Sequence, residues 1–244
     1  MPTSESFDNQ ASEFLAFSEG SFSWQFIERP AFDRYLPDFY NESTRVLDVG
    51  CGGGRLMKHL ISKGVSPENI IGIDPSQPML VHAQKDLPES GFERGSAEDL
   101  PFPDESFDLL VSHMVFHQMD AQTLARATDN MYRVLKKGGS LCFIDTNPIG
   151  PIEWRNKSNQ YVMQETPWGV EVPVFVHSLH RLLENFKKTG FQIFEGGSLP
   201  VLAEGQLADP AEYARYSSGS SRIGYRMNKL RDGNAPEQDI WRLT

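Results

Sequence analysis

Between Thr44 and Asp145, short unbroken apolar runs alternate with stretches whose apolar residues return every three or four positions. The runs "RVLDV" (45–49), "NIIGID" (69–74), "SFDLLVSH" (106–113) and "SLCFID" (140–145) predict strands, and "FERGSAEDLPF" holds a shorter strand followed by a loop. Runs that are apolar almost throughout suit strands covered on both sheet faces. Between them, "RLMKHLISKG" puts Leu56, Leu60 and Ile61 at helical spacing and stops at Gly64, and a second helix runs through Met79, Leu80 and Ala83. A third, "AQTLARATDNMYRVLKKGG", turns Leu124, Ala127, Met131 and Leu135 inward and ends at Gly138–Gly139. Alternating β and α units predict an α/β fold: a doubly wound, mainly parallel sheet with right-handed crossovers. Ligands of such sheets lie outside the carboxyl ends of the strands, where strand order reverses. That rim collects the Asp48–Gly54 turn, Asp74, Ser96–Asp99, His113–His117 and Asp145–Asn147.

The flanks read differently. "FSWQFIERPAFDRYLPDFY" (22–40) places Trp24, Ile27, Ala31 and Tyr35 on one helical face, so residues 1–43 are expected to form an N-terminal helical cap. The stretch after the fifth strand, about 148–177, is rich in aromatics and Pro and reads as an irregular insertion. "HSLHRLLENFKKTGF" then predicts a helix, and "FQIFEG" and "RIGYRMNKL" predict two strands. Without a linker signal, residues 44–244 are taken as one domain carrying these elaborations.

Composition narrows the partners. The 244 residues are 39% hydrophobic with a formal charge of −10, a balance that argues against a nucleic-acid backbone and for a small neutral or cationic ligand. Cys51 and Cys142 provide neither a disulfide framework nor a metal knuckle. The opening "MPTSESFDNQASEF" does not resemble a secretory leader, and no stretch has the apolar length of a bilayer span. The expectation is a cytoplasmic protein acting on a small molecule, with no nucleic-acid or membrane partner.

The candidate chemistry centres on "VLDVGCGGGR" (46–55), a glycine-rich turn directly behind a buried strand. A phosphate-binding loop would need Lys-Ser/Thr after the glycines, and none follows. A dinucleotide fingerprint needs glycine at the sixth position, but counting from Gly50 reaches Arg55 and counting from Gly52 reaches Met57. Asp48 would also oppose a pyrophosphate, whereas it would welcome an ammonium group. Asp74, at the tip of the second strand, suits the two hydroxyls of a ribose. A nucleoside with an amino-acid tail meets both demands.

With "IGIDPSQPML", "GSAEDLPFPDESFDLLVSHMVFHQM" and "RVLKKGGSLCFID" in the same order and spacing, the chain closely resembles the class I S-adenosylmethionine-dependent methyltransferases, near their small-molecule, quinone/sterol-like branch. The resemblance runs from about Arg45 to Asp145. It implies a Rossmann-like, seven-stranded sheet and S-adenosylmethionine as cofactor. By the same resemblance Asp48, Gly50, Cys51 and Gly52 line the methionine moiety and Asp74 holds the ribose. Pro75 and Met79 pack on the adenine, Ala97 offers it a backbone N–H, and His113 lies near the amino group. Relatives carry Asp where this chain has Ser96, so Ser96 or Glu98 is the acceptor for the adenine amine.

An activated methyl donor leaves the protein chiefly the tasks of alignment and water exclusion, with a base required only where the acceptor must lose a proton. His117 is the candidate base. His177 and His180 lack a third metal ligand and read as capping or surface residues, and Asp145 and Asn147 read as rim residues rather than magnesium ligands. Trp154, Tyr161 and Trp168 fall where this family builds its acceptor pocket, or form the insertion's own core. Phe14, Phe17, Phe22 and Trp24 form either a lid over the cofactor or ordinary helix packing. Transfer to O or N of a small metabolite leads, ahead of carbon; methylation of tRNA or protein, and binding without turnover, are the alternatives.

Overall fold

The computed structural model describes residues 8–9, 11–18, 20–38, 40–147, 157–167, 169–218 and 221–230. Helix α1 (Ala11–Ser18) leads into a π-helical turn, Trp24–Glu28, and helix α2 (Arg29–Tyr35). The sheet motif then begins: β1 (Val46–Val49), α3 (Arg55–Ser62), β2 (Ile70–Asp74), α4 (Gln77–Asp86), β3 (Gly91–Arg94) and β4 (Phe107–His113). Helix α5 (Ala121–Val134) precedes the long β5 (Leu135–Thr146). A hairpin of β6 (Tyr161–Glu165) and β7 (Glu171–Phe175) follows, then α6 (Leu179–Thr189) and β8 (Gln192–Ser198). Two short helices, α7 (Gly205–Ala208) and α8 (Pro210–Ser217), lead to β9 (Arg222–Asn228).

Seven strands form one sheet in the order β3-β2-β1-β4-β5-β9-β8. The first five strands run parallel, while β9 lies antiparallel to β5 and β8 antiparallel to β9. This is the expected Rossmann-like α/β architecture. The order reverses between β1 and β4, where Leu47 pairs with Leu110 and Asp48 with Val111, so the ligand crevice of this sheet lies above those two strands. All four residues of β1 are buried, as helices on both faces require.

Each face carries its own core. On one, Phe107, Phe116, Phe143, Phe186 and Phe191 pack under α5 and α6. On the other, Trp24, Ile27, Phe32 and Tyr35 from the N-terminal segment share a core with Val46, Met57, Leu60, Val111 and Ile144. Burying a side chain of this size contributes about 2 kcal/mol, so the helical face predicted at Trp24, Ile27, Ala31 and Tyr35 is held by the sheet itself. Local signals set the helix ends. Asp120 caps α5 by accepting from the N–H groups of Gln122 and Thr123, and Gly190, at φ 114°, closes α6.

Three expectations are corrected. The helix foreseen through Gly139 ends at Val134, and β5 begins at once with Leu135 beside Phe107. The "KKGG" glycines lie inside β5, where Gly138 takes φ 83° beside a register shift in the β4 pairing. The insertion is not irregular over 161–175, because β6 and β7 pair around Val172, Val174 and Val176. Helices α7 and α8 fall in a segment that carried no helical expectation.

A buried charge cluster ties the N-terminal segment to the sheet. The carboxylate of Glu28, 2% exposed, accepts a hydrogen bond from Arg222 Nε of β9 at 2.8 Å. His113 Nε2, at the tip of β4, lies 3.1 Å from Glu28 Oε2, and Arg55 of α3 lies 3.9 Å away. Burial alone would raise the Glu28 carboxyl, but His113, Arg222 and Arg55 more than offset it and hold the group well below the usual carboxylate range. Breaking a buried pair leaves an uncompensated charge, so Glu28→Gln should lower stability by about 3 kcal/mol in denaturant titrations near pH 7. A depressed carboxyl contributes above its unfolded value of 4.5 and loses that contribution as pH falls toward its folded one. The gap between the variant and the parent should therefore narrow on acidification below about pH 4.5.

Candidate active site

The turn after β1 doubles back on itself because three of its glycines take positive φ: Gly50 at 76°, Gly52 at 52° and Gly54 at 80°. Any Cβ at Gly50 would also stand 2.3 Å from Val115 Cγ2, so the position is closed to other residues by sterics as well as by φ. The turn is pinned to its neighbour strand. Gly50 and Cys51 donate their N–H groups to Ile73 O at 2.8 and 3.1 Å, and Gly52 N–H donates to Asp74 Oδ2 at 2.9 Å. The other Asp74 oxygen accepts from Ser76 N–H at 2.9 Å. Each carboxylate oxygen can accept a second bond, so Asp74 keeps capacity for a ligand.

Asp48 is different. It is 1% exposed, neither carboxylate oxygen has a hydrogen-bond partner among the described residues, and it lines a cavity of about 50 Å³ with Phe14, Leu15, Gly50, Gly52, Arg55 and His113. Burial, reinforced by the Asp74 charge, raises its carboxyl to about 8. An orphaned buried carboxyl beside half-buried turn backbone suits a cation and disfavours phosphate.

The wall facing the glycine turn comes from α1. Leu15 Cδ2 lies 2.3 Å from where a Cβ on Gly53 would sit, and Phe14 reaches Gly52. Arg55, the first residue of α3, donates to Ser18 O and lies over the Trp24 ring at 4.5 Å. Of the aromatics considered for a lid, Phe14 meets the crevice. Trp24 is buried in the sheet-face core, and Phe22 packs on Phe26 and Tyr216.

On the opposite flank Met79 and Ala97 are buried while Pro75 is exposed. Ser96 closes a local turn, its carbonyl accepting from Asp99 N–H and its Oγ lying 3.5 Å from Glu98 N, while Glu98 Oε2 accepts from Arg126 Nε at 2.8 Å.

A second constellation lies beyond Val115. His117, 8% exposed, sets its Nδ1 2.7 Å from Asp145 Oδ1. Asp145 Oδ2 accepts from the N–H groups of Val115 and Phe116 at 3.0 and 2.6 Å, and Oδ1 also accepts from Thr146 N–H. Burial works to raise the Asp145 carboxyl, but His117 and these N–H donors prevail and lower it. His117 and Asp145 border a cavity of about 10 Å³ with Phe116, Phe175, Val176, His177 and Leu182. Asp145 thus spends its oxygens inside the protein, and no cluster of three potential metal ligands occurs among the described residues. His177 is not a surface residue. It lies buried before α6 with Nε2 2.9 Å from Met119 O, while His180 is exposed on the helix. Tyr161 stacks edge-on against Phe175; Trp154 and Trp168 lie outside the described residues.

Nothing in the sequence marks Glu28, Arg55 or Leu15, or the pairing of Asp145 with His117. Their partners are distant in the chain, Glu28 and Arg222 being 194 positions apart, and no local pattern marks such pairs.

Fold and crevice together define a doubly wound α/β protein with a glycine turn and an unsatisfied buried carboxyl at its strand-order switch. Residues 47–143 match the family model described as a methyltransferase domain. A demethylmenaquinone methyltransferase of Listeria monocytogenes is 31% identical over 170 residues, covering 62% of this chain and 70% of that protein. An uncharacterized methyltransferase of Synechocystis is 34% identical over 110 residues, 45% of this chain and 50% of the relative. The chain spans about half the length of the first curated relatives it matches. The crystal structure of an S-adenosylmethionine-dependent methyltransferase from Mesorhizobium loti superposes with a TM-score of 0.67 at 21% identity, covering 86% of this chain and 98% of that one. The chain belongs to the class I S-adenosylmethionine-dependent methyltransferases. The cofactor of that family, a nucleoside carrying an ammonium group, suits the orphaned Asp48 and the bare turn. No helix among the described residues is long and apolar enough to cross a membrane.

With Asp48 raised to about 8, an ammonium ligand must draw the proton off before the pair can form. Calorimetry should show S-adenosylhomocysteine binding more tightly as pH rises from about 6 to 8, by up to about tenfold per unit, with proton release. Asp48→Asn should bind weakly with a flat profile; an unchanged slope in the variant would remove Asp48 from the ammonium site.

Proposed function

We propose that this protein transfers the methyl group of S-adenosylmethionine to a small-molecule acceptor, at oxygen or nitrogen in preference to carbon, with His117 as the base. The observation that carries this is the His117–Asp145 pair. A buried carboxylate fixes Nδ1 at 2.7 Å, so Nδ1 bears the hydrogen and Nε2 remains for a proton from an acceptor. The ring borders a small cavity of about 10 Å³ whose walls are Phe116, Phe175, Val176 and Leu182 beside Asp145, Thr146 and His177, and this mix of apolar wall and polar groups supports an acceptor with an apolar body and one ionisable group. The quinone-type substrates in the names of the Listeria relative and of a rice 2-methyl-6-phytyl-1,4-hydroquinone methyltransferase support a small, ring-bearing acceptor of that kind.

The cofactor, when bound, supplies an electrophilic sulfonium methyl and leaves as the neutral thioether. Asp48 holds its ammonium group, Gly50, Cys51 and Gly52 present backbone to the methionine moiety, and His113 lies beside them. Asp74 takes the ribose hydroxyls with its spare acceptor capacity. Pro75, Met79 and Ala97 flank the adenine, with Ser96 accepting from its amine and Glu98 held aside by Arg126. Val115, two residues before His117, packs over Gly50, so the turn that carries His117 lies next to the glycine turn. The negative net charge supports a compact metabolite over RNA, and a cytoplasmic setting accords with that reading.

The test is calorimetric and kinetic. S-Adenosylhomocysteine should bind while a nicotinamide dinucleotide does not, and Asp74→Ala should cost about 1–3 kcal/mol of that binding. Supplied with alkylated hydroquinones and S-adenosylmethionine, the protein should release S-adenosylhomocysteine, and His117→Ala should cut turnover about 10²- to 10⁴-fold without changing cofactor affinity. Tight cofactor binding with no release in the presence of any small hydroxylated acceptor would favour a binding protein instead.

A further inference from the structure

The turn that carries His117 is gripped from two sides, and the second grip comes from the insertion. On one side Asp145, at the tip of β5, receives Val115 and Phe116 N–H. On the other, His177 Nε2 lies 3.2 Å from Phe116 O and 2.9 Å from Met119 O, the carbonyls that bracket the short helical turn Phe116–Gln118. Two carbonyls can only accept, so Nε2 carries the hydrogen and is shared between them. His177 is 5% exposed and follows β7 by two residues. Its ring packs on Phe175 at 4.8 Å, and Phe175 packs on Tyr161 of β6 at 5.1 Å. A continuous path thus runs from the β6–β7 hairpin through one imidazole to the backbone on either side of His117.

Resting on the reading of His117 as base, we propose that His177 is a positioning residue: it clamps the Phe116–Gln118 turn so that His117 keeps Nδ1 on Asp145 and Nε2 free for the acceptor. Phe175 and Val176, which precede His177, also wall the cavity at His117. The same segment therefore meets the acceptor and sets the ring that serves it. Burial lowers the His177 pKa, so the ring stays neutral and holds its single donor at Nε2 near neutral pH.

Isotope-labelled histidine NMR reads the tautomer of each of the six imidazoles without any acceptor. The parent should show His117 as one tautomer with its hydrogen on Nδ1. In His177→Leu that signature should give way to a mixture of tautomers, with S-adenosylhomocysteine affinity within about twofold of the parent. His177→Gln, whose amide N–H reaches a similar distance, should restore the single tautomer. If the leucine form does not fold, His177→Ser, too short to bridge the carbonyls, takes its place. A single Nδ1–H tautomer persisting in the leucine or serine form overturns the proposal, as does equal loss in the glutamine form. Hydrogen on Nε2 of His117 in the parent would instead overturn the base reading, a result separable from either.

Discussion

The crevice depends on one restraint, the tethering of the β1 turn to the tip of β2. Left-handed glycines give a chain its tightest bends but no reason to hold any one of them, since they lose the most freedom on ordering. Here the carbonyl of Ile73 and the carboxylate of Asp74 supply that reason, taking N–H groups from three consecutive turn residues. The turn's direction then sets where α3 starts, and Arg55 at that start reaches back to the N-terminal segment. Asp74 therefore pins the turn with one oxygen and its own strand tip with the other.

Buried charge organises the rest, and the same device recurs with different outcomes. Glu28 is surrounded by cationic groups and stays ionised. Asp145 is bathed in N–H donors beside an imidazole and also stays ionised. Asp48 has neither and is driven toward the neutral acid. Three buried carboxylates thus differ in protonation by environment alone, and Asp48 is the one left unsatisfied.

Much of this was legible in the sequence. Apolar runs alternating with helical spacing defined the parallel sheet, and the glycine turn with Asp48 and Asp74 located the crevice, because these signals are local and periodic. Boundaries governed by pairing were not. The "KKGG" stretch carries glycines that usually end helices, yet the ladder with Phe107 draws Leu135 onward into β5. The hairpin Tyr161–Phe175 alternates too weakly around Pro173 to stand out. His177 was equally hidden. Beside His180 it resembles part of a helix face, and its partners at Phe116 and Met119 are set by a chain reversal that no spacing encodes.

Helix α1 leaves a last consequence for ligand traffic. It is only eight residues long, so it is held by Leu15 against the turn and Ser18 against Arg55 more than by any helical preference of its own. Opening such a segment costs less than opening the sheet it covers, so the side of the crevice walled by Phe14 and Leu15 is the one that yields first.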